Sequence, residues 1–320
     1  MSALVDSNPA RSETALGDHV RKTIATFRAL LAAPLVAVLD AFAARRSLDF
    51  EAAPLANFTR TAQPVVHLPV WTARSIRAGG ASLPEGALES AVDAAVFGYL
   101  CAQVQDDGLE ERLGSAAAWT LLGHALFARH HAALVLAAGV NPEFWARYSE
   151  RWLNYAGAMA AFAGSGPEPG TERTTAALRS APLALPAAAL LVSAGRPALL
   201  APLEELVRNS TDAAQLFDDL LDASEDLRHG RSTYVVRAMG GEQGADTLRR
   251  RLYLEGGFDT VLNEALAALK KATDAAAALG MAHAKAGFEA DAERLLAERG
   301  RYLEVLEMTI FPDASRRTER

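Results

Sequence analysis

Long runs rich in Ala and Leu, divided by clusters of Gly and Pro, make up most of this chain, and the alternating β-branched pattern of strands is scarce. That distribution predicts an all-α protein. The first helix is expected at about 15–46, after a polar start that contains Pro9. A segment punctuated by Pro and Gly at 64–86 surrounds a short helix. Further helices are expected at about 86–111 and 115–139, and another begins at Asn141-Pro142. The series closes with about 171–194, 198–229, 241–280 and 283–311. The loop at 164–170 (GSGPEPG) is short enough to join two helices within one domain. No repeat of fixed period interrupts the series. The expectation is a single helical domain over 1–320, with polar tails at about 1–14 and 313–320.

Composition narrows the function classes. Half of the 320 residues are hydrophobic, ample for a core. A net charge of −7 gives no general attraction to nucleic acid or anionic lipid. The single cysteine, Cys101, cannot form an internal disulfide and reads as a small buried residue. The apolar run at 29–39 follows Arg21 and Lys22, but it starts late, contains Pro34 and leads into Asp40, so it is not expected to act as an export signal. Two long uncharged stretches, 152–167 and 180–195, have 16 residues each and are broken by Gly or Pro. No membrane span and a cytoplasmic location are therefore expected.

Two acidic segments carry the candidate chemistry. Asp106, Asp107 and Glu110, with Glu111 beside them, end the apolar run AAVFGYLCAQVQDD, and Asp106 and Glu110 share a helix face. Asp218, Asp219, Asp222 and Asp226 lie within AAQLFDDLLDASED, where Asp218, Asp222 and Asp226 form a carboxylate stripe along two turns. Like charges at that spacing repel, so something positive is expected to offset them. Hard oxygen ligands on two faces suit Mg²⁺, which keeps waters and takes its other ligands from phosphate. Taken alone, a DDxxE segment is most often a solvated acidic face. A second, apolar-flanked cluster 112 positions away is harder to explain as surface.

The segment from Val207 to Asp222, continued by Asp226 and by Gly230-Arg231-Ser232-Thr233-Tyr234, resembles the second aspartate-rich region of the class I isoprenoid synthases. QDDGLEE resembles their first, with Glu in the last place. The resemblance, over roughly 90–310, implies a helical bundle around a central apolar cavity, with three Mg²⁺ at its mouth and a prenyl diphosphate as substrate. It is compatible with a homodimer.

The branch within that superfamily turns on counter-charges. Chain-elongating synthases hold a second diphosphate with basic motifs; the corresponding stretches here offer only Arg60 and Arg112, and Thr174-Thr175 stands where they carry Lys-Thr. Bacterial terpene synthases place a diphosphate-sensing Arg ahead of the second metal motif and an Arg-Tyr pair after it. Arg173 lies 45 residues before Asp218, and Arg301-Tyr302 begins 83 after it. The aromatic-rich segment Phe144-Trp145 to Trp152-Asn154-Tyr155 is also similar to theirs, although Asp, Asp and Asp replace their usual Asn/Asp, Ser/Thr and Glu ligands. The expectation is a Mg²⁺-dependent terpene synthase, with Arg173, Arg231, Arg301 and Tyr302 acting on the diphosphate. A trans-prenyl diphosphate synthase is the alternative, and a non-catalytic partner subunit the second. Phe97, Tyr99, Trp145, Trp152 and Phe217 are candidates to line the cavity, each more simply read as core. The adjacent His130 and His131 diverge on a helix and read as helix surface.

Overall fold

The computed structural model describes residues 3–6, 8–60, 63–110, 116–163, 168 and 170–310. Thirteen α-helices fill the described chain: α1 (Pro9–Leu30), α2 (Ala33–Arg45), α3 (His67–Ala78), α4 (Ala87–Glu110), α5 (Ala116–Ala138), α6 (Pro142–Ala163), α7 (Glu172–Ser180), α8 (Leu185–Ser193), α9 (Leu200–Arg228), α10 (Tyr234–Ala238), α11 (Ala245–Arg249), α12 (Gly257–Ala278) and α13 (Ala282–Ile310). The one extended pairing among the described residues is a two-residue antiparallel ladder, Thr59–Arg60 against Gln63–Pro64.

Most elements follow the sequence pattern, and the departures have local causes. The helix expected at 15–46 is two helices. Pro34 cannot donate to the preceding turn and its ring clashes there, so α1 ends at Leu30 and α2 restarts with Pro34 in its first turn. The polar start is shorter than expected, because Asn8 caps α1 by accepting from the amides of Ala10 and Arg11. Leu4 and Val5 ahead of it are buried. Pro182 and Pro186 divide the stretch at 171–194 into α7, a 3₁₀ turn at Ala181–Ala184, and α8. The run at 241–280 breaks before α12, where Gly256 takes φ +80° and π-turns cover Arg250–Leu254. The expected tail at 313–320 lies outside the described residues.

α8 is buried from Leu185 through Val192 and packs against α3, α4 and α5. A helix apolar all round belongs at the centre of a bundle, and this one occupies it. α4 lies along α5 on one side, and α9 along α12 on the other, with α13 behind α12. The long helices α4 and α9, which carry the two acidic segments, thus flank the same core. Ala117–Ala138 and Glu172–Ser193 match a membrane span in length and mean hydropathy (1.2 and 1.5), but 44% and 61% of their apolar windows are buried inside the protein.

Candidate functional site

The acidic segment of α9 is anchored from one side. Leu216, Phe217, Leu220 and Ala223 are buried in the core, so the residues between them are directed along its edge. Asp218 and Asp222 are exposed, whereas Asp219 and Asp226 are buried. Burial pushes the Asp219 carboxyl up to about 7; the amide of Gln215, 2.6 Å away, works against that, and the charges of Asp226 and Asp218 add to it. Burial also raises Asp226, which Arg231 offsets from 3.5 Å. Gly230, at φ +70°, ends α9 in the left-handed conformation that a residue with Cβ adopts only at a cost. The turn places Arg231 beside the carboxylates of its own helix end.

Across from α9, α4 presents Asp106 to the same cleft. The cleft has a volume of about 630 Å³ and is lined by Asp106, Asp218, Asp219, Asp222 and Asp226 together. Carboxylates 112 positions apart in sequence therefore face one space. Arg173 and Arg231 line it too. Arg173 is held by Asp212 at 2.9 Å and by Glu264 at 2.7 Å, contacts that raise its already high pKa. Tyr234, whose hydroxyl donates to Glu264 at 3.0 Å, lies under its guanidinium.

The remaining candidates sit elsewhere. Asp107 is buried away from the cleft and receives the Arg46 guanidinium, with Nε 3.0 Å from Oδ1. Its place on α4 turns it toward the end of α2. Arg301 is exposed and pairs with Glu298 one turn earlier, and Tyr302 stacks on Phe258 at 4.2 Å. Neither lines the cleft. The side chain of Glu110 lies outside the described residues, as do Glu111, Arg112 and the side chain of Arg60.

Two arginines that no motif pointed to complete the cleft. Arg179 of α7 donates to Asp106 at 2.8 Å and stacks over Phe162 at 4.2 Å. Arg46 lines the wall beside Gln103. Seven carboxylates and four arginines line the space among the described residues, so even with all four matched the cleft keeps an excess of negative charge. No three of the described His, Cys, Asp and Glu side chains converge on one point to form a closed metal cage. Open sites on two walls fit Mg²⁺, whose coordination sphere is filled by water and phosphate oxygens.

A small, mainly apolar cavity of about 10 Å³ is lined in part by Tyr99, Ala102, His130, Trp152, Tyr155 and Arg179. Of the aromatic residues considered from sequence, Tyr99 and Trp152 reach it; Phe97 and Phe217 are core, and Trp145 packs on His131 and Tyr148. His130 departs from the expected surface position. It is 1% exposed, with Nδ1 2.8 Å from the carbonyl of Ala94. A carbonyl only accepts, so Nδ1 carries the proton, and burial lowers the pKa of the ring to about 4. Cys101 is buried as expected, and desolvation raises its thiol to about 12, which makes it inert.

No family model and no curated protein matches the chain. Solved structures do, and they define the architecture: the chain shares an all-helical fold with known synthases. A polyprenyl synthase from Caulobacter crescentus CB15, crystallised with calcium and isoprenyl diphosphate, is similar over 86% of this chain and 97% of its own, with a TM-score of 0.56 and 19% identity. A geranylgeranyl pyrophosphate synthase from Corynebacterium glutamicum ATCC 13032 is similar over 92% of this chain and 97% of its own, with a TM-score of 0.64 and 15% identity. At such identities the likeness is one of fold.

Proposed function

We propose that the cleft binds the diphosphate of an allylic prenyl diphosphate together with Mg²⁺ and promotes its ionisation, and that the chain is a prenyltransferase. The observation that carries this reading is the meeting of Asp106 with Asp218, Asp222 and Asp226 across one cleft, among arginines. Those four carboxylates would hold the metal, with Asp219 behind them. When bound, Mg²⁺ supplies charge stabilisation to the diphosphate oxygens as the C–O bond breaks. Arg173, Arg179 and Arg231 offer guanidinium forks to the same oxygens. The bonding pair leaves with the diphosphate, an acceptor alkene forms a C–C bond with the allylic carbon, and the adduct then loses a proton.

Prenyl transfer is preferred over the cyclisation expected from sequence for two reasons. The two similar structures described above are by name a polyprenyl synthase and a geranylgeranyl pyrophosphate synthase. The Arg301-Tyr302 pair, half of the spacing argument for a cyclase, stands outside the cleft. One observation favours the cyclase as a second reading. Each arginine lining the cleft already faces a carboxylate, which leaves a second diphosphate short of counter-charge among the described residues.

Incubation with C10, C15 and C20 allylic diphosphates and Mg²⁺, with and without isopentenyl diphosphate, separates the readings. The expected result is a diphosphate five carbons longer, formed only when isopentenyl diphosphate is present. A hydrocarbon or alcohol made equally well without it would replace transfer by cyclisation. Absence of pyrophosphate release under every condition would overturn the enzymatic reading and favour a partner subunit.

A further inference from the structure

Arg179 stands at a junction. It lines both the acidic cleft and the small apolar cavity. Its guanidinium is stacked on Phe162 and bonded through Nη2 to Oδ1 of Asp106. Both partners of the ion pair are only 21% exposed, so water screens the contact weakly. The residue belongs to α7, a short helix fixed at its other end by the pairs of Glu172 with Arg237 and of Arg173 with Asp212 and Glu264. The helix bearing Arg179 is thus anchored through its first turn.

Asp106 is the one described carboxylate that α4 offers to the cleft. A divalent cation on that carboxylate competes directly with Arg179. Once Asp106 ligates a doubly charged ion, a guanidinium at 2.8 Å from the same oxygen meets net repulsion in a half-buried space. An incoming diphosphate reverses the sign, because its oxygens accept the bidentate geometry that a single carboxylate oxygen leaves unused.

We propose that Arg179 is an exchange residue: it holds Asp106 before metal binds, is displaced by the metal, and then binds the substrate diphosphate within the cleft. The proposal rests on the metal–diphosphate reading of the cleft. It predicts an order of binding in which metal alone is held weakly and metal with diphosphate strongly. It also makes Arg179 a substrate-contacting residue that no sequence motif marks.

The test uses the full chain with Mn²⁺ and inorganic pyrophosphate as probes, followed by titration calorimetry. Arg179→Met removes the competitor for Asp106, so Mn²⁺ alone should bind several-fold tighter than to the wild type. In saturating Mn²⁺ the same variant should bind pyrophosphate more weakly. These opposite shifts are not expected of a residue that merely supports the fold. Arg179→Lys keeps the charge and loses the fork, so its Mn²⁺ affinity should stay near wild type while pyrophosphate affinity falls. It also provides the test if the Met variant does not melt cooperatively. Unchanged or weaker Mn²⁺ binding by a folded Met variant, or unchanged pyrophosphate binding by the Lys variant, overturns the exchange while wild-type binding of both probes leaves the cleft reading intact. Failure of the wild type to bind pyrophosphate in Mn²⁺ overturns both.

Discussion

At the scale of single residues, burial and pairing decide which chemistry a side chain keeps. Asp107 and Asp106 are adjacent in sequence, yet one is buried under Arg46 and the other opens to the cleft. His130 shows the same principle in the core. Its ring takes up a proton at about 4 in the folded protein and near 6.5 when free, so between those values the unfolded chain binds more protons. Its contribution to stability is therefore complete above about 6.5 and is lost as pH falls toward 4, by roughly 3 kcal/mol. Urea unfolding at a series of pH values checks this. His130→Leu, which has no proton to gain, should show a shallower acid loss than the wild type; parallel curves would contradict the assignment.

At the scale of elements, the helices were legible wherever apolar runs were long, and the acidic stripe of α9 was legible because helix period alone places Asp218, Asp222 and Asp226 together. Breaks were harder to read, since Pro34, Pro182 and Gly256 each sit inside runs that otherwise look continuous. Arg179 left no local signal, as its partner Asp106 lies 73 positions away. The Arg301-Tyr302 pair shows a related limit: distance along the chain does not fix which way a helix face turns, and here it turns to Glu298 and Phe258. The packing of α4 on α5 gives its own prediction. A Cβ at Gly98 would lie 2.7 Å from Nδ1 of His130, a ring pinned by Ala94 and walled in by Trp152 and Tyr148. Gly98→Ala should cost about 1–3 kcal/mol in unfolding experiments, as expected for overpacking a filled core. An unchanged midpoint would mean that the ring moves aside freely.

At the scale of the whole molecule, the fold sets two acid-bearing helices on one core so that their carboxylates share a cleft, and arginines limit the repulsion between them. Ionisation in this cleft requires both walls to act on one substrate. The most direct measurement is Mg²⁺-dependent pyrophosphate release from C10, C15 and C20 allylic diphosphates, with isopentenyl diphosphate present, in the wild type and in Asp106→Ala and Asp222→Ala. Neither side chain belongs to the core, so circular dichroism should show unchanged helix content in both variants. Wild-type release that requires Mg²⁺ and is abolished by each substitution alone is the predicted result; near-normal release from either folded variant would contradict it.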